Sequence, residues 1–240
     1  MQNDFLVRVR PTPGRRLRAS TKPLRRASLL VGTAFLLTAA PARAANECGA
    51  PPPGGGTVTC PAGEYPTGID YVTPDALEIL LAPGVVTRGT SSIDVSGDFR
   101  LIGPIGTSLN FTPSDPAGSR ALYAETDGSA FIRLDKIGDS IGGIAGGGGV
   151  VVRASTFIDF SANSVATIDD GSPAILLFQL GAPVPPASVG ISVQAGTVVT
   201  AGDGSSGIYL STANGSAKIV AGTVTTEGYG SGHLQRRQFR

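Results

Sequence analysis

A near-copy of one phrase close to the end of the chain constrains the fold more than any other feature. Segment 195–205 returns as segment 221–231 at a constant offset of 26 residues, with eight of its eleven positions identical. A fixed period of this size predicts one supersecondary unit that stacks on itself. Each copy joins a short β-branched run, Ala-Gly-Thr-Val-x-Thr, to a glycine-rich turn. We therefore predict an all-β protein, a right-handed parallel β-helix or β-solenoid with glycine-rich turns.

A second, weaker similarity links distant parts of the chain. Segments 122–132 and 208–219 share six identical residues in the same order (Tyr, Thr, Gly, Ser, Ala and Ile), with one residue inserted in the later copy. Solenoids tolerate such insertions at their turns.

Segment 74–81 fits either a short helix with an early proline or the first strand of the stack. The remaining candidate strands are short runs of Val, Ile, Phe and Thr bounded by turn residues. They are 92–95, 99–102, 108–111, 130–137, 150–153, 156–160, 165–168, 174–180, 190–194, 197–200, 207–211, 218–220 and 223–226.

The first 44 residues carry the pattern of a secretory signal peptide. Nine basic residues and one acidic residue accompany an apolar run over 27–40, and Ala42 and Ala44 supply the small residues that suit cleavage. The apolar run is too short for a stable membrane-spanning helix, and an uncleaved anchor is the alternative. Two consecutive arginines at 25–26 leave the twin-arginine route open, although the general secretory route fits the following residues better. Export of the chain is expected.

Removal of the leader would leave an acidic chain. The remaining 196 residues contain 10 Lys or Arg and 17 Asp or Glu, a net charge of −7. We expect no nucleic-acid partner, because nucleic-acid binding requires a basic surface.

Cys48 and Cys60 are the two cysteines of the chain, and their place after an export signal predicts a disulfide between them. Since a Cys-x-x-Cys motif and a four-ligand set are both missing from the sequence, we expect no redox role, metal or cofactor.

Several aspartates are candidates for catalysis, because paired carboxylates are what glycoside hydrolysis requires. Aspartate is also common at solvated turns, which is the alternative for each pair. The pairs are Asp94 with Asp98, Asp135 with Asp139, and Asp169 with Asp170. Segment 202–207 matches Gly-x-Gly-x-x-Gly, but a dinucleotide site needs a helix after the turn and a strand is predicted there. The single histidine is His233, so we expect no hydrolytic triad.

Several of these features together resemble the N-terminal passenger of autotransporters, which are Gram-negative surface proteins of the type V secretion route. The features are the signal peptide, the segment from Cys48 to Cys60, the Tyr-Pro and Gly-Ile pairs of 65–69, and the Ala-Gly-Thr-Val-x-Thr runs. The resemblance covers most of residues 28–234. It implies a β-helical passenger with an outer-membrane β-barrel translocator as partner, although no alternating ten-residue segments follow the repeats in this chain. It implies a location at the outer membrane or cell surface, with the periplasm as the alternative.

These observations divide the chain into four parts: a signal peptide over 1–44, a disulfide-stapled cap over 45–71, a β-solenoid passenger over 72–234 and an aberrant or truncated tail over 235–240. The expected function is that of a non-enzymatic, adhesin-like scaffold that presents an acidic face to surface or cell ligands. The alternative is a secreted β-helix polysaccharide hydrolase or lyase that uses the aspartates. A degenerate gene product without an independent role is the third possibility. A cleft lined by two or more Asp with Arg or Lys on consecutive coils would favour the enzyme, and a smooth side wall would favour the scaffold.

Overall fold

The computed structural model describes residues 47–110, 119–138, 147–168, 170–181, 189–213 and 215–238. The predicted signal peptide and two of the candidate aspartates, Asp139 and Asp169, lie outside these ranges. Within them, every regular element is a β-strand. No helix of the described ranges has the length and hydropathy needed to cross a bilayer.

The strands belong to two sheets, which we call sheet A and sheet B, and the strand pairs are parallel. Sheet A contains β1 (Gly56–Cys60), β2 (Gly63–Tyr65), β4 (Leu77–Leu81), β5 (Val85–Thr87), β7 (Phe99–Ile102), β8 (Ser108–Leu109), β10 (Ala130–Ile137), β12 (Ile158–Thr167), β14 (Val189–Thr200) and β16 (Ser216–Thr226). Sheet B contains β3 (Asp70–Thr73), β6 (Ser91–Val95), β9 (Ser119–Thr126), β11 (Gly147–Ala154), β13 (Ile175–Gln179), β15 (Ser206–Thr212) and β17 (Gly232–Gln238).

Along the chain, each passage through sheet A is followed by one passage through sheet B. The first three passages through sheet A consist of two short strands each. β10 then pairs with both β7 and β8, so that one longer strand replaces two. Each strand after the first passage hydrogen-bonds to a strand of the preceding passage through the same sheet. The protein is therefore all-β with parallel sheets, which is compatible with the predicted β-helix.

The core consists of columns of apolar side chains, where a column is a set of residues in register on successive strands. Burial alternates with period two along most strands, as in β4, so every second residue joins a column. One column of sheet A comprises Val58, Ile79, Leu101, Ile132, Phe160, Val193 and Ile219. One column of sheet B comprises Leu122, Val150, Ile175 and Ile208. All of these are buried except Ile219, which is half-buried in the last strand of sheet A.

The two sequence similarities correspond to strand pairing. Ala195 pairs with Ala221 and Val198 with Val224 in the β14–β16 register, so the 26-residue period is one full passage through both sheets. The second similarity places its two segments in sheet B, in β9 and β15. Segment 74–81, for which helix and strand were both open, forms β4 from Leu77.

Two of the predicted domain boundaries fall inside strands. β3 crosses the boundary at residue 71. β1 pairs with β4 along its whole length, and its residues Val58 and Cys60 already belong to the buried core. The segment 45–71 thus supplies strands to both sheets. β17 crosses the boundary at residue 235 and pairs with β15, with Arg236 in register with the buried Leu210. Backbone pairing continues there although the apolar pattern of the sequence stops.

Candidate functional site

A disulfide joins Cys48 to Cys60, with their Cα atoms 4.6 Å apart. Cys60 is fully buried in β1, and Cys48 is half-buried against the core. The Tyr71 hydroxyl donates a hydrogen bond to the carbonyl oxygen of Gly49 at 2.9 Å. The chain before β1 is therefore held against the first strands of both sheets. The predicted cleavage residues Ala42 and Ala44 lie outside the described residues.

The described candidate aspartates bind backbone N–H groups or face solvent. Asp98 accepts a hydrogen bond from the backbone N–H of Ser129 at 2.9 Å. Asp170 accepts one from the backbone N–H of Asp203 at 2.7 Å. Asp94 is exposed on the outer face of β6. Asp98 and Asp170 each bond to the next passage of the chain, so their carboxylates connect turns that lie above one another.

Asp135 is buried in β10 where the alternation of burial breaks, a position that we call the bend. It lies beside a cavity of about 220 Å³. Its carboxylate accepts hydrogen bonds from the Gly106 N–H at 2.8 Å and from the Asn163 amide at 2.7 Å. The Gly106 N–H and then the Asn163 amide hold the pKa of Asp135 below its ordinary value, against the opposing effect of burial. Each carboxylate oxygen thus has a hydrogen-bond donor, one from the preceding and one from the following passage through sheet A.

The glycine-rich segment 202–207 forms a turn that stacks on its neighbours. Gly204 has a φ of 68°, which glycine adopts readily. Asp203 accepts a hydrogen bond from the Tyr229 N–H at 2.6 Å, and the turn leads into strand β15. The helix that a dinucleotide site would require is replaced by a strand. The described residues also contain no group of three or more His, Cys, Asp or Glu side chains able to hold a metal ion.

The most distinctive cluster of side chains lies on the outer face of sheet B. We call it the aromatic patch and define it as Tyr123, Glu125, Arg153, Phe178 and Tyr209. The Arg153 guanidinium carbon lies 6.0 Å from the Tyr123 ring centroid and 5.7 Å from that of Phe178. The Phe178 and Tyr209 rings are 6.1 Å apart and tilted by 51°. These separations lie within the ranges for cation–π and tilted aromatic contacts.

Strand register builds this patch from four successive strands of sheet B. Glu125, Arg153 and Phe178 are register neighbours on β9, β11 and β13. Tyr123 and Tyr209 share the neighbouring outward column, on β9 and β15. All three rings are half-buried. The patch is therefore a semi-exposed row of rings with an arginine between two of them.

Charges in the patch are balanced but only loosely paired. The closest nitrogen and oxygen of Arg153 and Glu125 are 3.8 Å apart, and both side chains are more than 40% exposed. The Tyr123 hydroxyl donates a hydrogen bond to the Glu125 carboxylate. Burial first, and then this hydrogen bond, raises the pKa of Tyr123, so the phenol remains protonated at neutral pH. The patch thus combines donors, acceptors and ring surfaces within a small area.

The amino-acid pattern gives little sign of this patch, for a specific reason. Tyr123 and Tyr209 occupy matching positions in the second similarity, which was the available signal. The intervening neighbours in their column are Val151 and Leu176, at unequal spacings of 28, 25 and 33 residues. Without a constant period, the sequence does not reveal that Arg153 lies between aromatic rings.

Comparison with known proteins identifies no relative of this chain. Neither the protein-family models, nor the curated proteins, nor the solved structures contain a match.

Proposed function

We propose that the chain is a right-handed parallel β-helix that acts as a non-enzymatic, adhesin-like scaffold of the autotransporter passenger type. One coil of this helix is a passage through sheet A followed by a passage through sheet B. The strict alternation of the two sheets and the parallel pairing support the coil. The hand rests on the strong preference for right-handed connections between parallel strands of one sheet.

The observation that carries the non-enzymatic proposal is that the candidate aspartates form hydrogen bonds within the fold. Asp98, Asp135 and Asp170 all accept hydrogen bonds from the backbone of neighbouring passages. A general acid or nucleophile needs a carboxyl group that is free to reach substrate. Carboxylates that tie the turns together support a scaffold, and the outer faces of the sheets are left for binding.

The disulfide supports the proposed export. Disulfides persist in oxidising compartments such as the periplasm and the cell surface, and are rare in the cytosol. The Cys48–Cys60 bond suits the cell surface, reached through an outer-membrane translocator, and equally the periplasm. The ligands would then be components of other cells or surfaces.

Attachment of beads coated with the purified full chain tests the scaffold function. We expect beads that carry the folded chain to attach to cell layers, and beads that carry the heat-denatured chain to attach far less. Absence of attachment by the folded chain would contradict the proposal.

A second assay tests the enzymatic alternative on the same preparation. Pectin, xylan, chitin and β-glucan are incubated with the chain, and new reducing ends or unsaturated ends are measured. We expect none above the buffer control. Product that disappears in Asp98→Asn or Asp135→Asn would favour the hydrolase or lyase instead.

A further inference from the structure

We propose that the aromatic patch on sheet B is a binding site for a neutral glycan chain, an inference that rests on the proposed function and names its ligand class. The site would consist of the rings of Tyr123, Phe178 and Tyr209 with Arg153 and Glu125 between them. The glycan would run across the strands of sheet B, from β9 towards β15.

Ring placement is the first argument. Parallel strands lie about 4.8 Å apart, which is close to the length of one pyranose unit along a polysaccharide. Phe178 and Tyr209 lie on neighbouring strands of the ladder, and Tyr123 lies two strands before Phe178. The semi-exposed rings therefore lie two strands and one strand apart along the sheet, which corresponds to two sugar units and one sugar unit of a glycan chain laid across the strands.

Hydrogen-bonding capacity is the second argument. The separation of 3.8 Å between Arg153 and Glu125 exceeds hydrogen-bond length. The guanidinium is held beside two rings, so its planar N–H groups are positioned with little loss of side-chain entropy. Glu125 and the Tyr123 oxygen supply acceptors next to these donors. A sugar hydroxyl both donates and accepts, and matches this mixed set.

The balance of positive and negative side chains around the patch favours a neutral ligand over an anionic one. Arg153 is opposed by Glu125, and the exposed Asp94 is the register neighbour of Glu125 on β6. Arg120 also acts electrostatically on Tyr123, so two positive groups, Arg153 and Arg120, and two negative groups, Glu125 and Asp94, surround the site. A polyanion such as a uronate polymer or a nucleic acid would gain little net attraction there.

Calorimetric titration of the purified full chain with defined hexasaccharides tests this proposal. The neutral probes are cellohexaose, maltohexaose, laminarihexaose and chitohexaose, and hexagalacturonate is the anionic probe. We expect at least one neutral probe to bind, and Arg153→Gln and Tyr209→Ala to weaken that binding by about tenfold or more, since loss of one ring or guanidinium contact removes about 1–2 kcal/mol.

Two matched controls come from sheet A. Phe131→Ala removes one ring of the tilted Phe131–Phe157 pair, whose centroids are 5.7 Å apart. Arg100→Gln removes an exposed arginine that pairs with Glu78 at 3.4 Å. We expect both controls to bind the neutral probe within about twofold of the parent chain, because neither residue lies on sheet B. Far-UV circular dichroism verifies that every variant is folded.

Four results would overturn the glycan proposal: no neutral probe binds, hexagalacturonate binds at least as tightly, the patch variants bind normally, or the sheet A controls weaken binding equally. The bead assay separates this failure from that of the scaffold. Attachment without hexasaccharide binding removes only the glycan site. Failure of attachment by the folded chain contradicts the scaffold itself, whatever the hexasaccharides do.

Discussion

At the scale of single residues, the buried polar side chains of this protein fall into two classes, those with a hydrogen-bond partner and those without one. Asp135 has a donor for each carboxylate oxygen. The inward-facing threonines are less uniform. Thr167 donates to the Ser172 carbonyl at 3.2 Å, whereas the Thr200 hydroxyl is buried with no hydrogen-bond partner among the described residues. Since an unsatisfied buried polar group costs stability and a satisfied one contributes to it, substitutions at these sites have opposite expected signs.

Asp135→Asn is expected to lower the free energy of unfolding by about 1–3 kcal/mol at neutral pH, because the new amide faces two donors. The folded pKa of Asp135 lies below its ordinary value of 3.8. Its contribution is therefore complete above the unfolded pKa and is lost as pH falls through the folded pKa. Urea denaturation at neutral pH and at about pH 3 measures both effects. Asp94→Asn, at an exposed position, is the control. An Asp135→Asn chain with parental stability at both pH values would contradict this role.

Thr167→Val and Thr200→Val form a matched pair, because these residues are register neighbours in one column. Thr167→Val removes a satisfied hydroxyl, and we expect a loss of about 1 kcal/mol. Thr200→Val removes an unsatisfied one, and we expect no loss or a gain of up to about 1 kcal/mol. Thermal and urea unfolding of both variants measure the difference. Equal destabilisation by the two substitutions would show that the hydroxyls are equivalent.

At the scale of strands, the bend in sheet A depends on a row of close backbone contacts. Asp135, Asn163, Gly196 and Gly222 follow one another at the positions where β10, β12, β14 and β16 change their pattern of burial. A Cβ atom at Gly196 would lie 2.4 Å from the Asn163 carbonyl oxygen, and one at Gly222 would lie 2.6 Å from that of Gly196. The later strands thus come too close at the bend for any side chain larger than that of glycine.

Gly196→Ala is expected to destabilise the protein by about 1–3 kcal/mol, because the strands must separate to admit the methyl group. Gly204→Asn is the control: Gly204 has a φ of 68° and open space around its Cβ position, and asparagine tolerates that conformation. We expect the control to lose less than about 1 kcal/mol. Urea denaturation of both variants makes the comparison. If Gly204→Asn costs more than Gly196→Ala, backbone freedom rather than strand contact governs these glycines.

Local patterns predicted many strands, and the structure shows where those patterns stop being informative. β7 and β10 coincide with predicted runs, because their apolar residues alternate and turn residues bound them. β12, β14 and β16 each join two predicted runs, since backbone pairing skips one position at the bend and resumes beyond it in the same register. The disulfide partners followed from cysteine count and export. The aromatic patch did not follow, because it depends on which strands lie side by side, and unequal passage lengths conceal that.

At the scale of the whole molecule, the two ends of sheet A differ. β1 is the first strand and β16 the last. The inward residues of β1, Val58 and Cys60, are buried. Those of β16, such as Ile219 and Val224, are only half-buried. The disulfide and the residues around Cys48 cover the first strand, while the described residues place no further strand of sheet A beyond β16. Because each strand contacts chiefly its neighbours, local stability in such a stack varies from end to end.

Hydrogen exchange followed by mass spectrometry measures this asymmetry directly. In the oxidised protein we expect the amides of β16 to exchange about tenfold or more faster than those of β1, because opening β16 exposes fewer buried side chains. Reduction of the Cys48–Cys60 bond removes a constraint worth about 2–4 kcal/mol, and should accelerate exchange in β1 while β16 stays unchanged. Equal exchange at the two ends of the oxidised protein would contradict the asymmetry. Equal acceleration of β16 on reduction would mean that the stack opens as one cooperative unit, and that the disulfide acts on the whole molecule rather than on its first strands.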